Sequence, residues 1–215
     1  MKLNGKIALL LVVLLPLSFY LYFEIKKNQT GLRLKKLPVL SETTLPDFKL
    51  IAHTGDTVTR HDVEGKILVS DFFFTKCRGI CPQMSRSMRN LQEYFLRNSN
   101  LQSPIILLSH TVDPANDSVP VLNEYAQLYG ADQKLWLLVT GDKKQLYDLA
   151  INFYKLPALE TPNDTLNPFT HSERFTLVDK AGHIRGYYDG TDSASVKQLM
   201  KDVVDLDLSY RVQNP

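Results

Sequence analysis

From about residue 47 onward, apolar positions fall in two rhythms that alternate along the chain. Ile67-Leu68-Val69-Ser70-Asp71-Phe72-Phe73-Phe74 is an almost continuous apolar, β-branched and aromatic run, the pattern of a strand covered on both faces. After a turn at Gly79 the period changes. Met84, Met88, Leu91 and Phe95 recur at spacings of three and four behind Pro82, which suits a first helical turn, so a helix is predicted here. The unit then repeats. A strand over Ile105 to Thr111 leads through Asp113, Pro114 and Asp117 into a helix from Ser118 to Tyr129, with Ser118 as cap and Pro120 in its first turn. A strand at Trp136 to Thr140 precedes a helix at Lys143 to Phe153. A hairpin from Arg174 to Asp189, turning at Asp179 to His183, precedes a last helix from Ser193 to Asp207.

Alternating strands and helices imply parallel pairing, and the final hairpin adds antiparallel strands. The expected fold is therefore α/β: a thioredoxin-like mixed sheet flanked by helices, with an N-terminal β-hairpin near Asp47 to Thr59. Between Leu156 and Thr170, Pro157, Pro162, Asn163, Asp164, Asn167 and Pro168 break any period, and long loops of this kind inside a compact domain are usually functional or disordered. There is no internal repeat, phosphate-binding glycine loop or Ser/His/Asp constellation readable from spacing.

The N-terminus has a different pattern. Ile7 to Phe23 carries no charge and as a helix would reach about 25 Å, a short span for a hydrocarbon core of about 30 Å. The expected organisation is a cytoplasmic tail over 1–6, a transmembrane anchor over 7–25, a linker over 26–45, the α/β domain over 46–207 and a tail over 208–215. A cleaved signal peptide is the alternative, but no small-x-small site precedes Lys26.

Charge separates the same two parts. Lys2, Lys6, Lys26, Lys27, Arg33, Lys35 and Lys36 against Glu24 give residues 1–36 a net +6; the rest, with 18 basic and 22 acidic residues, is net −4, matching the whole-chain +2. The basic excess is thus juxtamembrane, where it can touch anionic headgroups or form a solvated linker. The mildly acidic domain offers no case for nucleic acid. A positive-inside count alone would keep the domain in the cytoplasm.

The chain has two cysteines, Cys77 and Cys81, on the turn where the first long strand meets its helix. A structural bridge here would close about five residues and contribute on the order of 2 kcal/mol, little for a chain long enough to bury a core without it. Redox chemistry or metal binding remains. Lys76, Arg78 and the following helix N-terminus should ease thiol ionisation. Thioredoxin-type redox motifs have two residues between their cysteines, and the third here widens the turn toward one metal ion. Of His53, His61, His110, His171 and His183, the best third ligand is His171, delivered by the long loop to the start of the strand at Arg174; a histidine that only caps that loop is the plain alternative. His53, His61 and His183 read as surface groups beside turns or in polar stretches, and His110 as a core or edge residue. Two thiolates and an imidazole suit three-coordinate Cu(I), with Cu(II) tolerated if a further weak ligand approaches; zinc would need a fourth ligand, which water could supply.

Cys77-Arg78-Gly79-Ile80-Cys81-Pro82 carries a resemblance together with Thr111 to Pro120, Glu124-Tyr125-Ala126, Trp136, Thr140-Gly141, His171-Ser172, Leu177-Val178-Asp179 and Gly182. Over roughly Leu45 to Leu206 the chain resembles the Sco/SenC family. The resemblance implies a membrane-anchored, thioredoxin-fold copper chaperone that assists assembly of the dinuclear copper centre of cytochrome c oxidase. By motif, Cys77, Cys81 and His171 would bind copper, and Asp113 would belong to an acidic loop near the site. Expected partners are the oxidase copper-site subunit, a periplasmic copper donor and the membrane, with the domain facing the periplasm or cell exterior; the lack of any arginine before Arg33 argues against an Arg-rich mitochondrial transit peptide and for a bacterial periplasm. Many members have proline where this chain has Arg78. That departure leaves open a second function: a thiol:disulfide oxidoreductase that reduces the cysteines of the oxidase copper site or acts in redox signalling.

Overall fold

The computed structural model describes residues 14–22, 36–98, 100–156 and 172–213. Residues 14–22 form helix α1, within a unit separate from the domain that begins at Lys35. The rest of the expected anchor over 7–25 lies outside the described residues, and among those described no helix is long and apolar enough to cross a membrane.

The domain opens with β1 (Lys49–Ala52), β2 (Thr57–Thr59) and the short helix α2 (Arg60–Val63), started by a capping box between Thr59 and Asp62. Next come β3 (Ile67–Phe73), α3 (Cys81–Arg97), β4 (Ile105–Thr111), α4 (Val119–Tyr129) and β5 (Trp136–Thr140). Then α5 (Lys143–Asp148) runs into a π-helical turn over Leu149–Phe153, followed by β6 (Arg174–Val178), β7 (Ile184–Asp189) and α6 (Ser193–Gln213). One seven-stranded sheet results, in the order β2-β1-β5-β4-β3-β6-β7. Pairing is parallel for β3 with β4 and β4 with β5, and antiparallel elsewhere, the mixed sheet expected.

Both faces of the sheet are covered, which is why β3 is buried at every position. On one face Phe73 meets Tyr125 of α4, and the Tyr125 hydroxyl shares a hydrogen bond with Ser85 of α3 (2.8 Å). On the other, Ser70 bonds the Tyr154 hydroxyl (2.9 Å) and Phe72 stacks on His110. Met84, Met88, Leu91 and Phe95 all point into the core, as their spacing predicts.

Four local readings differ from the sequence expectation. The helix expected through Phe153 widens into a π turn, which lets Leu149, Ala150, Phe153 and Tyr154 all be buried. Residues 37–45, read as linker, lie on the domain: Leu37 and Leu45 are buried, Leu40 N–H donates to Ile184, and Arg185 bonds the Leu37 carbonyl (2.8 Å). Residues 208–213, read as a tail, continue α6, with Arg211 paired to Asp207. His53, read as a surface group, is buried because the β1–β2 hairpin packs beside β5, and its Nδ1 accepts the Leu138 N–H (3.2 Å).

Candidate metal centre

The site begins where β3 ends. Cys77 N–H donates to the Phe74 carbonyl (3.2 Å), closing a tight turn, and four residues later Cys81 is the first residue of α3, with Pro82 next. Both thiols are buried, no disulfide joins them, and their side chains share a hydrogen bond. That bond is the largest cause raising the Cys81 thiol above its ordinary pKa; burial adds to it, and a backbone bond from Phe74 opposes it. The easy ionisation expected of both thiols from Lys76, Arg78 and the helix terminus therefore fails for Cys81. A proton shared between two buried sulfurs outweighs flanking charges whose side chains lie in solvent: Lys76 and Arg78 are both exposed.

A polar loop after β4 braces this turn. Asp117 is fully buried, and its carboxylate accepts from the Thr75 hydroxyl (2.5 Å), the Thr75 N–H (3.2 Å) and the Thr111 hydroxyl. Burial pushes the Asp117 carboxyl up, against the pull of these donors. Lys76 Nζ donates to Asn116 Oδ1 (2.9 Å), and Asn116 Nδ2 donates to Asp113 Oδ2 (2.8 Å). The structure thus brings Lys76 and Asp113 together through Asn116. Asp117, which sequence reasoning passed over in favour of Asp113, makes the direct contact with the dithiol turn.

Beneath the site, Asp71 and Ser109 sit level on β3 and β4; Ser109 bonds the Asp71 carboxylate and accepts from Trp136 Nε1 (2.9 Å). Burial raises Asp71 to about 7. His110, fully buried, is lowered to about 4 by the same desolvation, with its Nδ1 near the Asp71 carbonyl.

His171 lies outside the described residues, and among those described no three His, Cys, Asp or Glu side chains form a metal-binding group. The chain that follows His171 is described. Glu173 accepts from Gly190 N–H (2.6 Å), and the neighbouring Thr191 carbonyl accepts from Gln83 Nε2 (2.7 Å) in the first turn of α3. The antiparallel register of β6 on β3, with Thr176 opposite Ser70, likewise carries Arg174 level with Phe72. Of the other histidines, His61 is exposed, and His183 is partly exposed beside Asp179.

Comparison with known proteins gives a consistent picture. The family described as SCO1/SenC matches residues 39–206. The SCO1 protein homolog of Bacillus subtilis is 29% identical over 150 residues, spanning 69% of this chain and 75% of that protein. Among solved structures, BsSco, described as a member of the Sco family of cytochrome c oxidase assembly proteins, superposes with TM-score 0.68 at 23% identity over 80% of this chain and 98% of that one. Copper-bound ScoI of Bradyrhizobium japonicum superposes with TM-score 0.63 at 18% identity, covering 76% and 99%.

Proposed function

The chain belongs to the SCO1/SenC family, and from that premise we propose that it is a membrane-anchored copper metallochaperone assisting assembly of the dinuclear copper centre of cytochrome c oxidase. It takes copper from a periplasmic donor and passes it to the oxidase copper-site subunit. Cys77, Cys81 and His171 hold the ion, and Ile7 to Phe23 anchors the chain with its domain facing the periplasm or cell exterior.

The observation that carries this reading is the pair of buried sulfurs on one turn, not joined by a disulfide. Soft donors shielded from water suit a soft ion, and two thiolates with one imidazole match Cu(I). Support for His171 comes from the hydrogen bonds that link Glu173, two residues on, through Gly190 and Thr191 to the first turn of α3. Relatives described as oxidase assembly proteins, and one with copper bound, point the same way. When the ion binds, each thiol gives up its proton and the histidine coordinates in its neutral form, so loading releases protons and weakens as pH falls.

Copper titration of the reduced full chain against a competing chelator tests the proposal. One equivalent of Cu(I) is expected to bind, Cys77→Ser or Cys81→Ser to abolish tight binding, and His171→Ala to weaken it by at least about tenfold. Unchanged affinity in His171→Ala would remove that ligand. A reduced parent chain that binds no copper, yet exchanges thiols with an oxidised dithiol target, would transfer the site to the oxidoreductase reading.

A further inference from the structure

The two sulfurs ride on separately anchored pieces of chain. Cys81 belongs to α3, a helix of 17 residues fixed by Met84 and Met88 in the core, by the Ser85–Tyr125 hydrogen bond and by Gln83 on Thr191. Cys77 belongs to the turn that leaves β3. Its position relative to Cys81 depends on what holds Thr75 and Lys76, the two residues between Phe74 and Cys77. Lys76 is held at the surface through Asn116. Thr75 is held inside: its backbone N–H and hydroxyl both donate to Asp117, whose carboxylate is fully buried and also accepts from Thr111 at the end of β4. Asp117 in turn is set by its own N–H on the Asp113 carbonyl (2.9 Å).

From this arrangement we propose that Asp117 is a positioning residue for the dithiol, fixing the Cys77 turn against the β4 end so that the two sulfurs keep the separation needed to share one copper ion or one bridge. The inference rests on the copper-carrier reading for its metal arm and on the two thiols alone for its redox arm. A carboxylate suits the site because it accepts from three donors at once, the Thr75 N–H, the Thr75 hydroxyl and the Thr111 hydroxyl. The Thr75 N–H lies 3.4 Å from Oδ1 and 3.2 Å from Oδ2. An amide in its place offers one acceptor oxygen to the three donors, so a threonine hydroxyl must turn to accept from the new NH2 and its charge-assisted bond is lost, which loosens the hold on the turn.

The test compares Asp117→Asn, Thr75→Val and Thr75→Ser with the parent as full chains in detergent, reading Cu(I) affinity under a competing chelator and the dithiol potential in glutathione buffers. Val203→Ala, on α6 in the core, controls for simple loss of stability. Asp117→Asn and Thr75→Val are expected to bind Cu(I) about tenfold more weakly, in the range found when a group orienting metal ligands is removed. They should also move the dithiol–disulfide equilibrium about tenfold, roughly 30 mV for two electrons. Thr75→Ser, which keeps the hydroxyl, should match the parent, and so should Val203→Ala. Parental affinity and potential in both Asp117→Asn and Thr75→Val would overturn the proposal, as would an equal change in Val203→Ala. If the parent itself binds no copper, the carrier reading fails while the potentials still decide the role of Asp117. If Asp117→Asn does not fold, Thr75→Val carries the comparison.

Discussion

Two buried titratable residues, Asp71 and His110, sit on adjacent strands with one side-chain atom each, Asp71 Oδ1 and His110 Nε2, lacking a hydrogen-bond partner among the described residues. Their effects on stability run in opposite directions. Asp71, raised to about 7 chiefly by burial, holds its proton in the folded state where the unfolded chain has already released it. Its contribution to stability therefore falls as pH rises from about 4 to about 7. His110, lowered to about 4 by burial, is neutral in the folded state where the unfolded chain is protonated, so its contribution is lost as pH falls from about 6.5 to about 4. Across the shared window the two slopes offset each other. Asp71→Asn removes one of them. The groups facing Asp71 are Ser109, the Tyr154 phenol and the Cys81 thiol, the last two raised in part by its charge, and they stay in the variant. The stability of Asp71→Asn minus that of the parent, from urea unfolding at a series of pH values, should climb between pH 4 and 7 and level off above, by on the order of 3–4 kcal/mol in all. A difference flat from pH 4 to 8 would show that Asp71 is not held protonated by burial.

At the scale of the element, the turn between β3 and α3 shows what the sequence carries and what it hides. The strand, the helix face of Met84, Met88, Leu91 and Phe95, and the placing of both cysteines at their junction are local properties, and period alone exposes them. The protonation preference of Cys81 is not local: the charges of Lys76 and Arg78 are visible in the sequence, but burial and the Cys77 hydrogen bond exist only after folding. Asp117 was hidden for the same reason, since its partners Thr75 and Thr111 come from two different strand ends. The π turn was hidden because Leu146, Leu149, Ala150 and Phe153 fit an ordinary helical stripe to within one residue. His53 was misread because Gly55 and Asp56 advertise a solvated turn, while its burial depends on the distant Leu138. The turn also defines an exclusion: a bridge between Cys77 and Cys81 takes both sulfurs out of coordination. Forming it removes two protons and two electrons, passed to an added oxidant such as oxidised glutathione. The chain oxidised in this way, with loss of free thiols verified by mass, should hold no Cu(I) under a competing chelator, and dithiol reduction should restore one equivalent. Stoichiometric copper on the bridged form would remove both cysteines from the ligand set.

For the whole molecule, two physical rules disagree about which side of a membrane the domain would occupy under the proposed anchor. Lys26, Lys27, Arg33, Lys35 and Lys36 follow the uncharged run, against Lys2 and Lys6 before it, and that imbalance favours a cytoplasmic domain. The rule, however, is strongest for short loops, and long domains cross largely regardless of charge. Here the run is followed by a folded α/β body that, counted from residue 37, is net −4. The basic excess precedes Leu37 in the sequence and adjoins the uncharged run, the placement at which anionic headgroups attract Lys and Arg. Chemistry adds a second argument for export. Under the proposed copper-carrier reading, the dithiol loads the ion when reduced and closes when oxidised, and extracytoplasmic compartments supply an oxidising setting more readily than the cytoplasm. Alkaline phosphatase fused after Pro215 should therefore be active in cells, whereas the same fusion to a chain lacking residues 1–25 should be stable and inactive. A stable but inactive fusion to the full chain would mean that the charge imbalance governs and that the dithiol faces the cytoplasm.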